Sequence, residues 1–338
     1  MLGKVIVWPE PSLYFSRGQQ ERIIDPKHGL IQYHPFDVNV GQREFDEIRL
    51  GVICSSQDVD KVGGLLKKLN EKVSPTTKTR PYPYEGFREI YQAELFVPES
   101  KEYVTIERDE ISEFESVKDI NNFIDSFRGL ILQKMQDITD RNKDLSVLII
   151  QIPVKLNWLF SKFGVRGYGL RELVKAVGVE KSVKTQVIME KALKPFDMAD
   201  NLWNLSLAIY VKAGGIPWKI KEIPPASMFI GMRYGIKIDE NGHTIVIGIA
   251  EVYNTYGEYM DMAAIDFKGK DVIFEGRLTR RRGSPRLKVG AIKKLFSLAL
   301  KRYKNMTQEE PSSVVVHRNL DYSDEEREGI HLALSNVD

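Results

Sequence analysis

Cysteine is almost absent from this sequence, since Cys54 is the only one among its 338 residues. A single cysteine excludes an internal disulfide and a cysteine-based zinc site, and it is typical of a reducing compartment. Net charge is nearly absent as well, because 49 basic residues offset 47 acidic ones to leave +2. The chain as a whole therefore lacks the strong positive charge expected of a protein that binds polyanions over its entire surface.

Long apolar runs are also missing. No run approaches the ~20 residues that a membrane-spanning helix needs. The amino-terminal stretch MLGKVIVWPEPSL has no long apolar core of the kind found in a secretory signal. These absences predict a cytoplasmic protein without a membrane segment. The length and the 42% hydrophobic content predict a globular protein with room for two domains.

The charges that are present are unevenly distributed. Residues 276–308 contain eleven Lys or Arg and no acid, whereas residues 107–119 are predominantly acidic. Such segregation predicts one face for an anion and another for solvent. The alternative is that both segments are ordinary solvated helix faces.

Strand-like and helical stretches alternate in the first half of the chain. Residues 47–55 and 145–153 are apolar runs with the length of buried strands, and residues 117–138 have apolar positions at helical spacing. A second helix is predicted from Asp58 onward, with that aspartate as its cap. The alternation predicts an open, mainly parallel α/β sheet.

The second half has a different order of elements, beginning near Pro224-Pro225. Two β-rich runs flank Asn241-Gly242, which is a strong hairpin signal. A further strand, an amphipathic helix over 290–305, another strand and a last helix are predicted to follow. Three antiparallel strands, helix, strand and helix is the opening order of an RNase H-like fold. We expect a complete domain of that type to continue with at least one more strand and helix.

A lysine stands just before a double glycine in IYVKAGGIPW, residues 209–218. The glycines predict the abrupt end of a helix whose last turn carries Lys212. One interpretation is that Lys212 is simply a cation favoured by the helix dipole, with Gly214 as an ordinary left-handed cap. The other is that the break holds Lys212 at a fixed point for a ligand.

This stretch resembles the segment that joins the MID and PIWI domains of Argonaute proteins. There a helix ends in a lysine that is followed by Gly-Gly, a short hydrophobic step and Trp. Other pieces resemble the family in the same order: PEPSLYFSRG and DPKHGLIQYHPFD near the start, MFIGMRYG at the first strand of the second half, and VVVHRN near the end. The resemblance covers nearly the whole chain. It is to the short prokaryotic class, since no PAZ-like domain precedes the MID-like part.

The resemblance implies an α/β chain with a Rossmann-like MID domain followed by an RNase H-like PIWI domain that is incomplete at its carboxyl terminus. The implied organisation is an entry segment (1–45), a MID-like domain (46–200), a linker helix with the Gly-Gly break (201–225) and a partial PIWI domain (226–338).

The resemblance also implies a site for the 5′-phosphate of a guide strand, made by Arg171, Lys175, Gln186 and Lys212. Arg171 and Lys175 are four residues apart and share one helical face. Like charges at this spacing cost a few tenths of a kcal/mol, and a phosphate between them reverses the sign. A structural alternative is that Glu172 pairs with Lys175.

Two further features of this site stay open. Tyr168 is an alternative stacking residue if the alignment slips by three positions. No cofactor is firmly implied, although the family leaves room for a magnesium ion at the guide 5′-phosphate.

The catalytic positions of the family are altered. An RNase H-like nuclease needs carboxylates that hold two metal ions, and this chain has Arg233 and Asn319 at the two places where the resemblance expects carboxylates. It therefore implies a protein that does not cut. The alternative is a metal-dependent nuclease with displaced carboxylates, for which Asp321 and Glu275 are candidates. A plain sugar-binding α/β module is a third possibility, and the predicted hairpin after Pro224-Pro225 counts against it.

The basic segment suits contacts with a nucleic-acid backbone, because arginine pairs well with phosphate. The predicted backbone-binding residues are Arg280, Arg281, Arg282, Arg286 and Lys288. The partners implied by the resemblance are a guide strand, by family tendency RNA, and a complementary target, by family tendency DNA. It also implies an effector protein with an APAZ-like region, in defence against invading DNA.

Overall fold

The computed structural model describes residues 10–76, 82–164, 169–220, 227–238, 244–254, 259–275, 284–318 and 321–335. The chain divides into two compact units, Met1–Lys219 and Ile220–Asp338. The sequence-based boundaries within the first of these, at 45 and 200, stay predictions.

The first unit contains an α/β sheet and the helices around it. Its strands are β1 (Leu13–Tyr14), β2 (Glu47–Ser55), β3 (Glu94–Phe96), β4 (Val104–Ile106), β5 (Val147–Gln151) and β6 (Thr185–Ile188), with β7 (Lys219–Ile220) at the boundary pairing with β1. Its helices are α1 (Pro26–Tyr33), α2 (Phe36–Val40), α3 (Val59–Lys67), α4 (Phe87–Tyr91), α5 (Arg108–Glu113), α6 (Ile120–Arg141), α7 (Val154–Ser161), α8 (Leu170–Glu180), α9 (Glu190–Leu193) and α10 (Met198–Ala213).

The main sheet has the order β3-β2-β5-β6, and β4 pairs with the later part of β2. All of these pairs are parallel. Helices cover both faces, so the central strands are apolar on both sides. Residues of β5 are buried throughout, and β2 is buried from Leu50 to Ser55. This Rossmann-like arrangement confirms the predicted parallel α/β sheet.

Helix α10 belongs to the core of the first unit. Its residues Leu202, Trp203, Ile209 and Tyr210 are buried in the same apolar cluster as β2. It begins when Asp197 accepts a hydrogen bond from the backbone N–H of Asp200. The segment predicted as a linker thus starts with a helix that packs as an integral element.

Both positions of the Gly-Gly break at the end of α10 require glycine, each for a separate steric reason. Gly214 has a φ of 116°, a left-handed conformation that side chains rarely adopt. Gly215 lies against Tyr210, and a Cβ there would come within 2.3 Å of the ring. The N–H groups of Gly214 and Gly215 bond to the carbonyls of Val211 and Tyr210. The predicted abrupt helix end is therefore confirmed.

A buried carboxylate holds this break in place. Asp37, at the start of α2, is 1% exposed. It accepts hydrogen bonds from the Tyr210 hydroxyl at 2.7 Å and from the backbone N–H of Ile216 at 3.0 Å. Burial, followed by the bond to Asp37, raises the pKa of Tyr210, so its hydroxyl stays a donor. The entry segment is thereby tied to both sides of the double glycine.

One predicted cap takes another role. Asp58 stands at the N-terminal end of α3, but its side chain does not bond to the helix N–H groups. It pairs with Lys61 at 2.6 Å and accepts from the Gln151 amide at 3.2 Å. Nearby, burial raises the pKa of the Cys54 thiol to about 12, so this cysteine stays protonated at neutral pH.

The second unit contains a four-stranded sheet backed by helices. Its strands are β8 (Ser227–Ile238), β9 (Thr244–Tyr253), β10 (Tyr259–Lys268), β11 (Val272–Glu275), β12 (Ser284–Leu287) and β13 (Ser313–His317), and its helices are α11 (Val289–Thr307) and α12 (Asp324–Leu334).

The sheet order is β10-β9-β8-β13, with β13 parallel to β8 and the other pairs antiparallel. Buried residues of β8 alternate, namely Met228, Ile230 and Met232, and they pack against α11 residues such as Leu295 and Phe296. The strand and helix order confirms the RNase H-like expectation. The antiparallel pair of β11 and β12 was not predicted. In the described part of the chain, no helix is long and apolar enough to cross a membrane.

Gly215 provides a test of the helix break. Changing Gly215→Ala forces the new Cβ against the Tyr210 ring, so we expect the free energy of unfolding to fall by about 1–3 kcal/mol. Gly64→Ala is the matched control, because this exposed helical glycine has no atom within 4 Å of its added Cβ. That change should be neutral or stabilising by up to about 1 kcal/mol. Urea unfolding followed by far-UV circular dichroism measures both, and equal effects would contradict the account.

Candidate nucleic-acid interface

Three elements of the first unit carry the residues predicted to hold a guide 5′-phosphate. Arg171 and Lys175 lie one turn apart on α8 and are exposed. Gln186 is the second residue of β6, and Lys212 is in the last turn of α10. Gln186 and Lys212 are both half-buried. The set thus has two partly buried members, Gln186 and Lys212, and two solvent-exposed members, Arg171 and Lys175.

Lys212 and Gln186 are directly joined. The Lys212 ammonium donates to Gln186 Oε1 at 2.8 Å. The amide nitrogen of the same glutamine donates to the carbonyl of Val187 at 3.2 Å. These two bonds fix which end of the amide points at Lys212. An ammonium has three donors, so with respect to the described residues two of the three protons stay available to a ligand.

The cations on α8 act electrostatically on Lys212. Burial is the largest cause that lowers the pKa of Lys212, and the positive charges of Lys175 and Arg171 lower it further. Within the described residues none of the three forms an ion pair. Glu172, the suggested partner of Lys175, instead accepts from the backbone N–H of Gly169 at 2.8 Å. The structure therefore brings three cations together without a counter-ion in the described chain.

This arrangement is suited to an anion. Three converging cations repel each other in the empty state, and a phosphate turns that repulsion into attraction. Arginine can supply two parallel donors and lysine a point charge. The donor set does not fit a magnesium ion, which prefers carboxylate and other oxygen ligands. The one side-chain oxygen among these four residues, on Gln186, already accepts from Lys212.

A further lysine near this site was not predicted. Lys184 donates to the carbonyl of Ala213 at 3.3 Å, one residue beyond Lys212. A cation at this position is favoured by the helix dipole and satisfies a terminal carbonyl. Its place just before a short strand is a signal too common to single it out in the sequence.

Several predicted residues lie outside the described part of the chain: Tyr168, Arg280, Arg281, Arg282 and Asn319. Lys288, the residue before α11, is described and exposed, and its backbone N–H donates to the carbonyl of Asp271 at 3.0 Å. Its contact with a nucleic-acid backbone stays a prediction.

Arg286 has an internal role in the second unit. Its side chain is 12% exposed and lies 3.5 Å from the fully buried carboxylate of Glu326. Its guanidinium also donates to the carbonyl of Asp321. Arg318 pairs with the same Glu326 at 2.6 Å. The Arg286 side chain therefore mainly stabilises the position of α12 through Glu326. Its predicted contact with a nucleic-acid backbone would have to be made while it keeps that ion pair.

The open face of the second unit's sheet forms a groove of about 600 Å³. It is lined by Arg233 from the middle of β8, by Glu251 and Tyr253 from β9 and by His317 at the end of β13. Arg233 is exposed, and Tyr253 donates to Glu251 at 3.1 Å. The sequence analysis missed Glu251. The two-residue alternation of β9 is the signal that could have placed it beside Tyr253 on the open face.

The groove contains little that could hold a metal ion. Among the described residues, no group of three or more His, Cys, Asp or Glu side chains is arranged to bind one. Asp321 contributes its backbone carbonyl to Arg286, and Asp261 pairs with Arg302 at 2.6 Å on the edge strand β10. Glu275 is the last residue of β11. The positions of these residues do not test the alternative of a metal-dependent nuclease with displaced carboxylates.

The perturbed lysine gives a direct test of the cation cluster. Lys175→Gln removes one positive neighbour and should raise the pKa of Lys212 toward its ordinary value of 10.5. Lys181→Gln, at the exposed end of the same helix, should leave it unchanged. Nuclear magnetic resonance titration of labelled lysine side chains, with Lys212→Arg for assignment, measures the pKa. An equal response to both changes would mean that Lys175 does not act on Lys212.

The lowered pKa also has a consequence for stability. The unfolded chain binds the Lys212 proton more tightly than the folded chain, so stability rises with pH between the two pKa values. The destabilisation is present below the folded-state pKa and is relieved as the pH rises toward 10.5.

Comparisons with known proteins bear on the sequence and on the fold. No protein-family model matches the chain. The Argonaute of Aquifex aeolicus is 25% identical over 191 residues, which are 56% of this chain and 23% of that protein. A crystal structure of the A. aeolicus Argonaute matches 96% of this chain and 37% of its own, with 16% identity and a TM-score of 0.53. Drosophila Piwi matches 97% of this chain and 36% of its own at 13% identity, with a TM-score of 0.48.

The chain spans a little over a third of the Argonaute structure that it matches. Its two units therefore correspond in fold to a part of that protein. The chain is similar in sequence to an Argonaute over 191 residues and has, over nearly its whole length, the mixed α/β fold of the matching part of the A. aeolicus Argonaute.

Proposed function

We propose that this chain is a guide-strand-binding module. It holds the 5′-phosphate of a guide strand on the first unit and presents the guide for pairing with a complementary target. It does not cut the target, and it passes the recognition event to an effector protein in defence against invading DNA. The guide is RNA and the target DNA in this proposal, which follows the tendency of the short prokaryotic Argonautes that the sequence resembles.

The observation that carries the proposal is the uncompensated charge around Lys212. Burial and two like charges lower its pKa, while its ammonium is aimed by the bond to Gln186. A cluster of this kind costs stability in the free protein. Functional sites are where such unfavourable charge is retained, since a bound anion reverses its sign. In this proposal the exposed Arg171 and Lys175 contact the phosphate from the solvent side, and Lys212 contacts it from a position held by the bond to Gln186.

The groove of the second unit supports binding over cutting. A two-metal nuclease needs carboxylates that hold the ions a few ångströms apart. Arg233 places a guanidinium on the open face of the sheet. Glu251 is an acid in the same groove, and it accepts a hydrogen bond from Tyr253. Among the described residues that line the groove, Glu251 is the one carboxylate, and a single carboxylate is too few for a pair of metal ions.

The 5′-phosphate site can be tested by binding. A 5′-phosphorylated single strand should bind more tightly than the same strand with a 5′-hydroxyl. Lys175→Ala or Lys212→Ala should weaken the phosphorylated strand roughly ten- to a hundredfold, because a hydrogen bond to a charged group contributes about 1.5–3 kcal/mol. Neither change should affect the hydroxyl strand, and Lys181→Ala is the control. Equal affinity of the unmodified protein for both strands would refute the site.

The absence of cutting is tested by a single-turnover assay. The guide-loaded protein is kept in excess over a target labelled at one end, with Mg²⁺ or Mn²⁺ present. We expect the target to be bound and to stay intact, and Arg233→Asp alone should not create cleavage because one added carboxylate does not position two metals. A metal-dependent product at a fixed distance from the guide 5′ end would establish the nuclease alternative instead.

A further inference from the structure

A second cavity lies in the first unit, away from the guide-end residues. Its volume is about 560 Å³, and none of Arg171, Lys175, Gln186 and Lys212 lines it. Its lining includes Ser55, Asp58, Arg108, Trp158, Glu190 and Lys194. The volume falls within the range of small-molecule sites, about 300–1,000 Å³.

The cavity occupies a particular place in the sheet. From β2 the chain continues to β3 and β4 on one side, and it then crosses to β5 on the other side of β2. Ser55 is the last residue of β2, and Pro153 and Val154 follow β5 and also line the cavity. In open parallel sheets, the crevice at the carboxyl ends of the strands where the order reverses is the usual ligand site.

The lining favours an anion. Asp58 is neutralised by Lys61 at 2.6 Å. Arg108 and Lys194 are exposed and form no ion pair with any residue that the structure describes. The backbone N–H groups at the start of α7 have no side-chain cap. These groups together provide charge and donors for a phosphate.

The same cavity exposes an aromatic surface. Trp158 is 55% exposed and Val154 is 44% exposed. The ammonium of Lys162 lies 3.5 Å from the centroid of the indole ring, and the exposed part of the ring offers an aromatic surface for a planar group. Stacking of a base on such a ring contributes about 1–3 kcal/mol. A phosphate alone does not explain an exposed tryptophan in the same cavity as Arg108 and Lys194.

Polar groups complete the set. Glu190, the first residue of α9, has no hydrogen-bond partner within the described ranges and can accept from amino or hydroxyl groups. Ser55 is 3% exposed and accepts from the N–H of Gln57 at 3.3 Å. Its hydroxyl can also donate to a ligand, since a serine hydroxyl carries one donor and two acceptor lone pairs.

We infer that this cavity binds a nucleoside phosphate. The phosphate lies against Arg108 and Lys194, the base stacks at Trp158, and Glu190 accepts from the base or the sugar. The site is separate from the guide 5′-phosphate site, and it does not depend on the proposed function.

The test uses a variant in which the guide-end site has been removed, Lys175→Ala with Lys212→Ala. Isothermal titration calorimetry with adenosine 5′-monophosphate should still show one site. Adenosine alone and inorganic phosphate should each bind at least about tenfold more weakly, since each makes only part of the contacts. Loss of the nucleotide signal in this background would overturn the inference, because the nucleotide would then have bound at Lys212.

Two further changes locate the site. Arg108→Ala and Trp158→Ala, made in the same background, should each weaken the nucleotide about tenfold or more. Trp158→Phe should restore most of the affinity because it keeps an aromatic ring. Lys143→Ala, an exposed lysine paired with Asp140, is the control and should bind normally. Circular dichroism confirms folding of each exposed-residue variant, and unchanged affinity in both alanine variants would also overturn the inference.

Discussion

The buried carboxylate of Asp37 is the interaction that fixes the end of α10, and with it Lys212 of the proposed guide-end site. A charge removed from water is costly unless it is fully hydrogen-bonded, and Asp37 meets that requirement with the Tyr210 hydroxyl and the Ile216 N–H. These partners lie on either side of the Gly-Gly break. The same carboxylate therefore fixes the last turn of α10 and the direction of the chain after it. Lys212 stands in that turn, and its ammonium is placed without a flexible segment beneath it.

The position of Lys212 has a thermodynamic cost in the free protein. The helix end is stable only with glycines at 214 and 215, and the lysine that it carries is partly buried beside other cations. If the proposed phosphate binds here, stability is given up where binding is gained, which is the usual trade at functional sites. The second unit also contains a buried charge, but there oppositely charged side chains pair with it. There Glu326 is fully buried, and Arg318 and Arg286 compensate it, so this cluster is structural.

Local patterns were enough to predict the elements that matter most. Apolar periodicity located α6 and α11, and the double glycine located the end of α10, because each depends on neighbouring residues alone. The parallel sheet followed from the alternation of strands and helices. The family resemblance, and no residue pattern, supplied the four guide-end residues, and the structure brings them together around Lys212.

Long-range pairings could not be predicted in the same way. Asp37 and Tyr210 are far apart in sequence, and nothing local shows that they meet. Asp58 carries the sequence signal of a helix cap, but its oxygens accept from Lys61 and from the distant Gln151 in place of the helix N–H groups. The position of Glu251 on the open face depends on strand register, and the internal role of Arg286 depends on Glu326, a buried acid from α12. The cavity beside Trp158 forms only when separate strand ends and helices come together.

The most direct test of the central claim is the 5′-end chemistry of the nucleic acid that co-purifies with the protein. Strands extracted from the unmodified protein and from a Lys175→Ala, Lys212→Ala variant are compared before and after phosphatase treatment. The account predicts that the unmodified protein retains short strands that carry a 5′-monophosphate, and that the variant loses them. Recovery of strands with mixed or 5′-hydroxyl ends, or equal recovery from the variant, would contradict it.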